Sequence, residues 1–133
     1  MRTLLLGLAL VAGAACRPAA GGGTPAPSGD TTEVTVHQVL VSPSLTGTMV
    51  LVHGTCLGYA APFVAHGPPP LTRSDWQLGD GGEALWVSGP LPAGCTSTTP
   101  ATAPTAVVAR VAQDTVQALG GGTAVRRYLV VGR

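Results

Sequence analysis

Thirteen of the chain's 19 glycines and nine of its 12 prolines lie beyond residue 32 and cut that part into short apolar runs. A segment interrupted this often cannot sustain long helices, whereas short strands joined by turns tolerate it well. Glu33 to Val41 (EVTVHQVLV) alternates, with Val34, Val36 and Leu40 on one side, and reads as a strand. Thr48 to Cys56 (TMVLVHGTC) is rich in β-branched residues, and Val50, Val52, Gly54 and Cys56 share a face. Gly54 inside that run suggests a bulge or a sharp bend. A loop rich in proline follows (LGYAAPFVAHGPPPLT), and then two runs separated by Gly79-Asp80-Gly81-Gly82. Trp76 and Leu78 lead into the knot and Leu85 and Val87 lead out of it, which is a hairpin signature. Trp76 is in phase with the core positions; Trp86 is out of phase with Leu85 and Val87 and is expected on the exposed face.

Ala106 to Asp114 admits two readings. Val107, Ala109 and Val111 alternate as in a strand, and this reading is preferred for its β-branched content. A helix capped by Thr105 and ended by Gly120 would instead line up Val108, Val111, Thr115, Val116 and Leu119. Arg127 to Val131 (RYLVV) reads as a last strand. The succession of short strands predicts an all-β domain, closed or nearly so.

The N-terminus has a different character. Arg2 supplies a positive charge, Leu4 to Val11 an apolar core, and Ala12 to Ala15 small residues. The apolar part, about 12 residues, is too short to span a bilayer, so the segment reads as an export signal. Gly13-Ala14-Ala15-Cys16 resembles the lipobox of bacterial lipoproteins. That resemblance implies a signal peptide over 1–15, lipidation of Cys16, and anchorage in the bacterial cell envelope, facing the periplasm and on the outer membrane. The alternative is ordinary cleavage after the small residues, with Cys16 a bystander. Residues 16–32, rich in Gly, Pro and Ala, then form a tether that reaches at most ~55 Å, and the domain occupies 33–133.

Three cysteines are an odd number for an exported chain. Lipid on Cys16 leaves Cys56 and Cys95 as a disulfide pair in an oxidising compartment. The competing reading, two ligands of a metal site, lacks CxxC spacing and neighbouring His pairs.

The runs GTMVLVHGTC, SDWQLGDGGEALWVSGPLP, AVVARVAQDTV and RRYLVV together resemble the small bacterial OB-fold and tRNA-anticodon-like domains over about residues 48–132. The resemblance implies a five-stranded Greek-key barrel with an extra N-terminal strand. Ala109 stands where the fourth strand of that family often carries Gly, and the polar loop CTSTTPATAP stands in place of a helix. By the family's habit, ligands lie across the second and third strands and their loops. This nominates Trp86, Tyr59, Phe63 and His66 as contacts, with Arg73 and Arg126 as the nearest cations.

Catalytic chemistry finds little footing. Gly79 to Gly82 is followed by a strand rather than the helix N-terminus that a phosphate cradle needs, so it reads as a turn whose three glycines serve positive φ. The three histidines, His37, His53 and His66, have no metal-ligand spacing, no serine lies in a nucleophile motif, and there is no lysine for a P-loop or Schiff base. Beyond Cys16, six Arg balance six Asp and Glu, which argues against nucleic acid as the partner. The expectation is a non-catalytic binding domain without metal or cofactor, serving an envelope protein or small ligand. The alternative is an OB-fold binding single-stranded nucleic acid or oligosaccharide.

Overall fold

Thr32–Val34 forms strand β1, and Thr35 then ends it by capping a helix. The Thr35 hydroxyl accepts from the Gln38 N–H at 3.1 Å, while the Gln38 side chain accepts from the Thr35 N–H at 2.8 Å. This reciprocal box satisfies two donors that would otherwise be orphaned. Helix α1, Val36–Val41, buries Val36 and Val39 completely. The single strand expected over 33–41 is therefore corrected to a three-residue strand and a helix. Val36 and Val39 fit helical spacing while Val34 and Val36 fit alternation, and the Thr35–Gln38 box decides between the two periods.

The computed structural model describes residues 30–59 and 64–132. Its other strands are β2 (Met49–Gly58), β3 (Trp76–Asp80), β4 (Glu83–Ser88), β5 (Thr105–Gln117) and β6 (Thr123–Val130), so the described fold is mostly β. They form one mixed six-stranded sheet in the order β1-β2-β3-β4-β6-β5, and β5 returns to pair with β2. Five strands thus make a ring. Most neighbours are antiparallel; β1 with β2 and β4 with β6 are parallel. Strand, not helix, holds over 105–117, because Val107, Ala109 and Val111 alternate into the core.

The main core fills the ring: Val50, Val52, Cys56, Trp76, Leu78, Leu85, Val87, Val107, Ala109, Val111 and Leu129, with Val36 and Val39 from α1. The six-residue α1 lies against β2, β3, β4 and β6 at once, which a helix this short can do only across one mouth of the ring. Its C-terminal end is held by Arg127, whose Nη1 donates to the Leu40 carbonyl at 2.9 Å. Each apolar side chain fully removed from water here contributes about 1.5–3 kcal/mol before entropic costs.

Cys56 and Cys95 are bonded, with Cα atoms 6.2 Å apart. The disulfide carries the 89–104 loop onto the end of β2, where the Tyr59 N–H donates to Ser97 O at 2.7 Å and the Ala101 N–H to Cys56 O at 2.9 Å. The irregularity expected at Gly54 falls two to four residues later, between Cys56 and Gly58. Gly54 serves a different need: a Cβ there would lie 2.8 Å from the Gly79 carbonyl oxygen.

Candidate functional site

The β3–β4 hairpin turns on Gly81 and Gly82, at φ +59° and +86°, a pair of left-handed residues that suits a two-residue connection. Gly79 does not share that role. It lies within β3, where a Cβ would approach the Leu57 side chain to 2.7 Å, so close packing and not positive φ accounts for it.

The outer face of this hairpin is covered. Gln77 and Trp86 are direct partners across the two strands, and both are buried. The exposed position expected for Trp86 is therefore wrong: its exposure is 0 %. Alternation places Trp86 outside the ring correctly, yet the segment 64–72 folds back over that face. Trp86 packs with Ala65, Ala84 and Tyr128 in a second core, with Leu57, Tyr59, Ala112 and Val130 around it.

Four buried side chains hold the covering segment by its backbone. Gln77 Oε1 accepts from the Val64 and Ala65 N–H groups at 2.8 and 2.9 Å. Trp86 Nε1 lies 3.2 Å from both the His66 and Gly67 carbonyls and donates to them. Arg126 Nη1 donates to His66 O at 2.8 Å and also to Pro68 O. Asp75 accepts from Leu71 N at 2.7 Å, Thr72 N at 3.0 Å and Thr72 Oγ1 at 2.8 Å. Burial by itself pushes the Asp75 carboxyl pKa up, but these bonds and one from Ser88 outweigh it and hold it below the ordinary aspartate value.

Arg126, expected as a ligand-facing cation, is instead a clamp. Its Nε donates to Asp114 Oδ1 at 2.9 Å, its Nη2 pairs with Asp114 Oδ2, and its guanidinium lies 6.0 Å from the centre of the Tyr128 ring. Tyr128 sits beside Asp114 as well. Its hydroxyl pKa is raised by burial first and by the Asp114 charge second, with the Arg126 charge opposing.

The remaining candidates divide. Tyr59 and Arg73 come together: with Pro68, Pro69, Leu71 and Thr72 they line an open pocket of about 350 Å3. The Tyr59 ring packs against Trp86, centroids 6.2 Å apart and planes tilted by 46°. His66 is exposed, and the structure uses its carbonyl to bind Trp86 and Arg126. Cys16 and Phe63 lie outside the described residues, as do the signal segment and most of the tether. Asp75 and Gln77, which the sequence reading passed over, fix the pocket wall. Gln77 is a polar residue in a hairpin strand directly opposite a tryptophan, and Asp75 stands just before that strand, in phase with it.

A second surface pocket, about 290 Å3, is lined by Glu33, Val34, Thr35, Gln38, His53 and Asp80. His53 Nε2 lies 3.3 Å from Glu33, and nearby His37 Nδ1 lies 2.9 Å from Glu83. These exposed contacts tie β1 and α1 to the ring. Among the described residues no group of three or more His, Cys, Asp or Glu is placed to hold a metal ion.

No family model matches this sequence, and no curated protein or solved structure matches it either.

Proposed function

We propose that this chain is a cell-envelope lipoprotein whose domain is an OB-like, non-catalytic binding module, and that the Tyr59–Arg73 pocket is its binding site. The OB-like reading is supported by the ring order, in which β6 inserts between β4 and β5, and by the parallel pairing of β4 with β6. On that reading the pocket belongs to the loop between the first two strands of the ring, one of the loops that OB-folds use for ligands. Fold alone is a weak warrant for function. The observation that carries the proposal is the set of hydrogen bonds that holds the wall. Residues 64–72 are held from beneath by Gln77, Trp86, Arg126 and Asp75, so an aromatic ring and a cation face an open pocket whose shape is set before any ligand arrives. Preorganisation of this kind lowers the ordering cost of binding.

The nucleic-acid or oligosaccharide alternative loses ground, since its principal stacking platform, Trp86, is buried. Lipidation at Cys16 is tested by intact mass of the chain recovered from membranes: acyl mass on Cys16 is expected, and an unmodified Cys16 or a chain lacking it overturns the anchor. The pocket is tested by NMR titration of the full chain with small acids, amines, sugars and short peptides. Shifts should gather at Tyr59 and at 71–73 and vanish in the Tyr59→Ala/Arg73→Ala double variant. Shifts gathered elsewhere, or unchanged in that variant, overturn the assignment.

A further inference from the structure

The pocket's hydrogen-bonding capacity is unusually one-sided, and this bears on what it takes. Pro68, Pro69 and Pro70 have no N–H to offer. The Leu71 and Thr72 N–H groups and the Thr72 hydroxyl proton are all given to Asp75. The Thr72 hydroxyl oxygen accepts from Ser74 N, and its carbonyl accepts from Asp75 N at 3.2 Å. From 68 to 72, then, no backbone donor faces the pocket, and nothing resembles a nest of N–H groups.

Arg73 stands apart from this closed set. It is exposed, and among the described residues it makes no ion pair: the carboxylates in contact with cationic side chains are Glu33, Glu83 and Asp114, which serve His53, His37 and Arg126. The nearest in sequence, Asp75, is buried and saturated by the turn it caps. One guanidinium with two parallel N–H groups matches one planar carboxylate. A phosphate dianion, with three oxygens to satisfy, would need further donors that the 68–72 backbone does not provide. Around Arg73 the walls are the Tyr59 ring, two proline rings and the Leu71 side chain, which suit an apolar or aromatic body. A volume of about 350 Å3 lies at the small end of ligand pockets, enough for one ring and its acid group.

Resting on the binding-site reading above, we infer that this pocket takes a carboxylate borne on a single apolar or aromatic group, with Arg73 pairing the carboxylate and Tyr59, Pro68, Pro69 and Leu71 covering the body. A free aromatic acid and the C-terminal residue of a peptide share this chemistry.

The test is an NMR titration of the full chain in detergent, reading the Tyr59 ring and the Leu71, Thr72 and Arg73 amides. The probes are N-acetylphenylalanine, its carboxamide, phenyl phosphate, and a pentapeptide ending in Phe with a free or an amidated C-terminus. The acid should shift these signals. Its amide, and the acid added to Arg73→Gln, should bind about fivefold more weakly, the loss expected of one charge-assisted pair at an open site. Arg73→Lys should recover part of that loss. Equal binding of acid and amide overturns the carboxylate inference and leaves the pocket standing, as does tighter binding of phenyl phosphate. If none of the probes moves these signals, the pocket reading falls as well. Either ranking of peptide against free acid upholds the carboxylate and assigns its source.

Discussion

Arg126 and Asp114 face each other directly across β5 and β6, and the same guanidinium that grips the carboxylate at 2.9 Å also holds the His66 carbonyl at 2.8 Å. One side chain thus joins the long β5–β6 hairpin to the loop that roofs the second core. The Arg126 side chain is 6 % exposed and that of Asp114 31 %, so the pair is buried on one side only. Removing one partner of a fully buried pair costs about 3–5 kcal/mol. For Arg126→Met we expect about 3 kcal/mol in denaturant unfolding, and somewhat less for Asp114→Asn, where the carbonyls still serve the guanidinium. The Arg126→Met/Asp114→Leu double variant should be better than the sum of its parts. A single-variant cost below about 1 kcal/mol, the level of a surface pair, would dismiss the clamp.

Trp86 gives a sharper contrast between the two views of this hairpin. A stacking platform on the outer face would be readily quenched by iodide and could be cut back at little cost. With 0 % exposure, its emission should resist iodide until the protein unfolds. Replacement by Ala should cost about 3–5 kcal/mol. Trp86→Phe keeps most of the packing but takes the indole donor from the Gly67 carbonyl and leaves the His66 carbonyl to Arg126 alone, and should cost about 1–3 kcal/mol.

The Cys56–Cys95 bond closes a 39-residue separation, for which the chain-entropy account gives about 4 kcal/mol. Reductant should lower the denaturation midpoint by a corresponding amount, and Cys56→Ala/Cys95→Ala should be insensitive to it. Backbone bonds from Tyr59 to Ser97 and from Ala101 to Cys56 remain, so the ring is expected to survive in the variant at low denaturant. Identical midpoints with and without reductant in the parent protein would remove the disulfide from the stability argument.

Two groups set opposite limits in pH. Asp75 has its carboxyl pKa held down in the folded state. Its contribution is therefore complete above the unfolded aspartate value of about 3.9 and lost as pH falls through the lower folded value. Tyr128 has its pKa raised, so its contribution is complete below the unfolded value of about 10 and lost as pH climbs through the higher folded one. Stability profiles of Asp75→Asn and Tyr128→Phe should each flatten one limb, acid and alkaline respectively, and leave the other unchanged. An unchanged acid limb in Asp75→Asn would mean that the turn at 71–75 does not depend on its charge.

The reach of the sequence is clearest along the hairpin. Its alternation placed Trp76, Leu78, Leu85 and Val87 inside, and its glycines marked the turn, because a strand's two-residue period and a left-handed backbone are local properties of the chain. The Cys56–Cys95 pair was legible from an odd count of three. Alternation also put Trp86 outside the ring, but could not say what would lie over it. That was decided by segment 64–72, whose route depends on hydrogen bonds from residues up to 60 positions away, such as Arg126 to His66. Arg126 changed from an expected ligand contact to a clamp for the same reason. The Glu33–Val41 run, whose alternation reads as one strand, turned instead on a single capping box at Thr35 that makes its second half a helix. What the sequence determined by itself was the mostly β character, the turns and the cross-link. Which polar and aromatic groups are left to meet a ligand was a tertiary decision, because exposure belongs to the far segments that cover a residue and not to the residue's own strand.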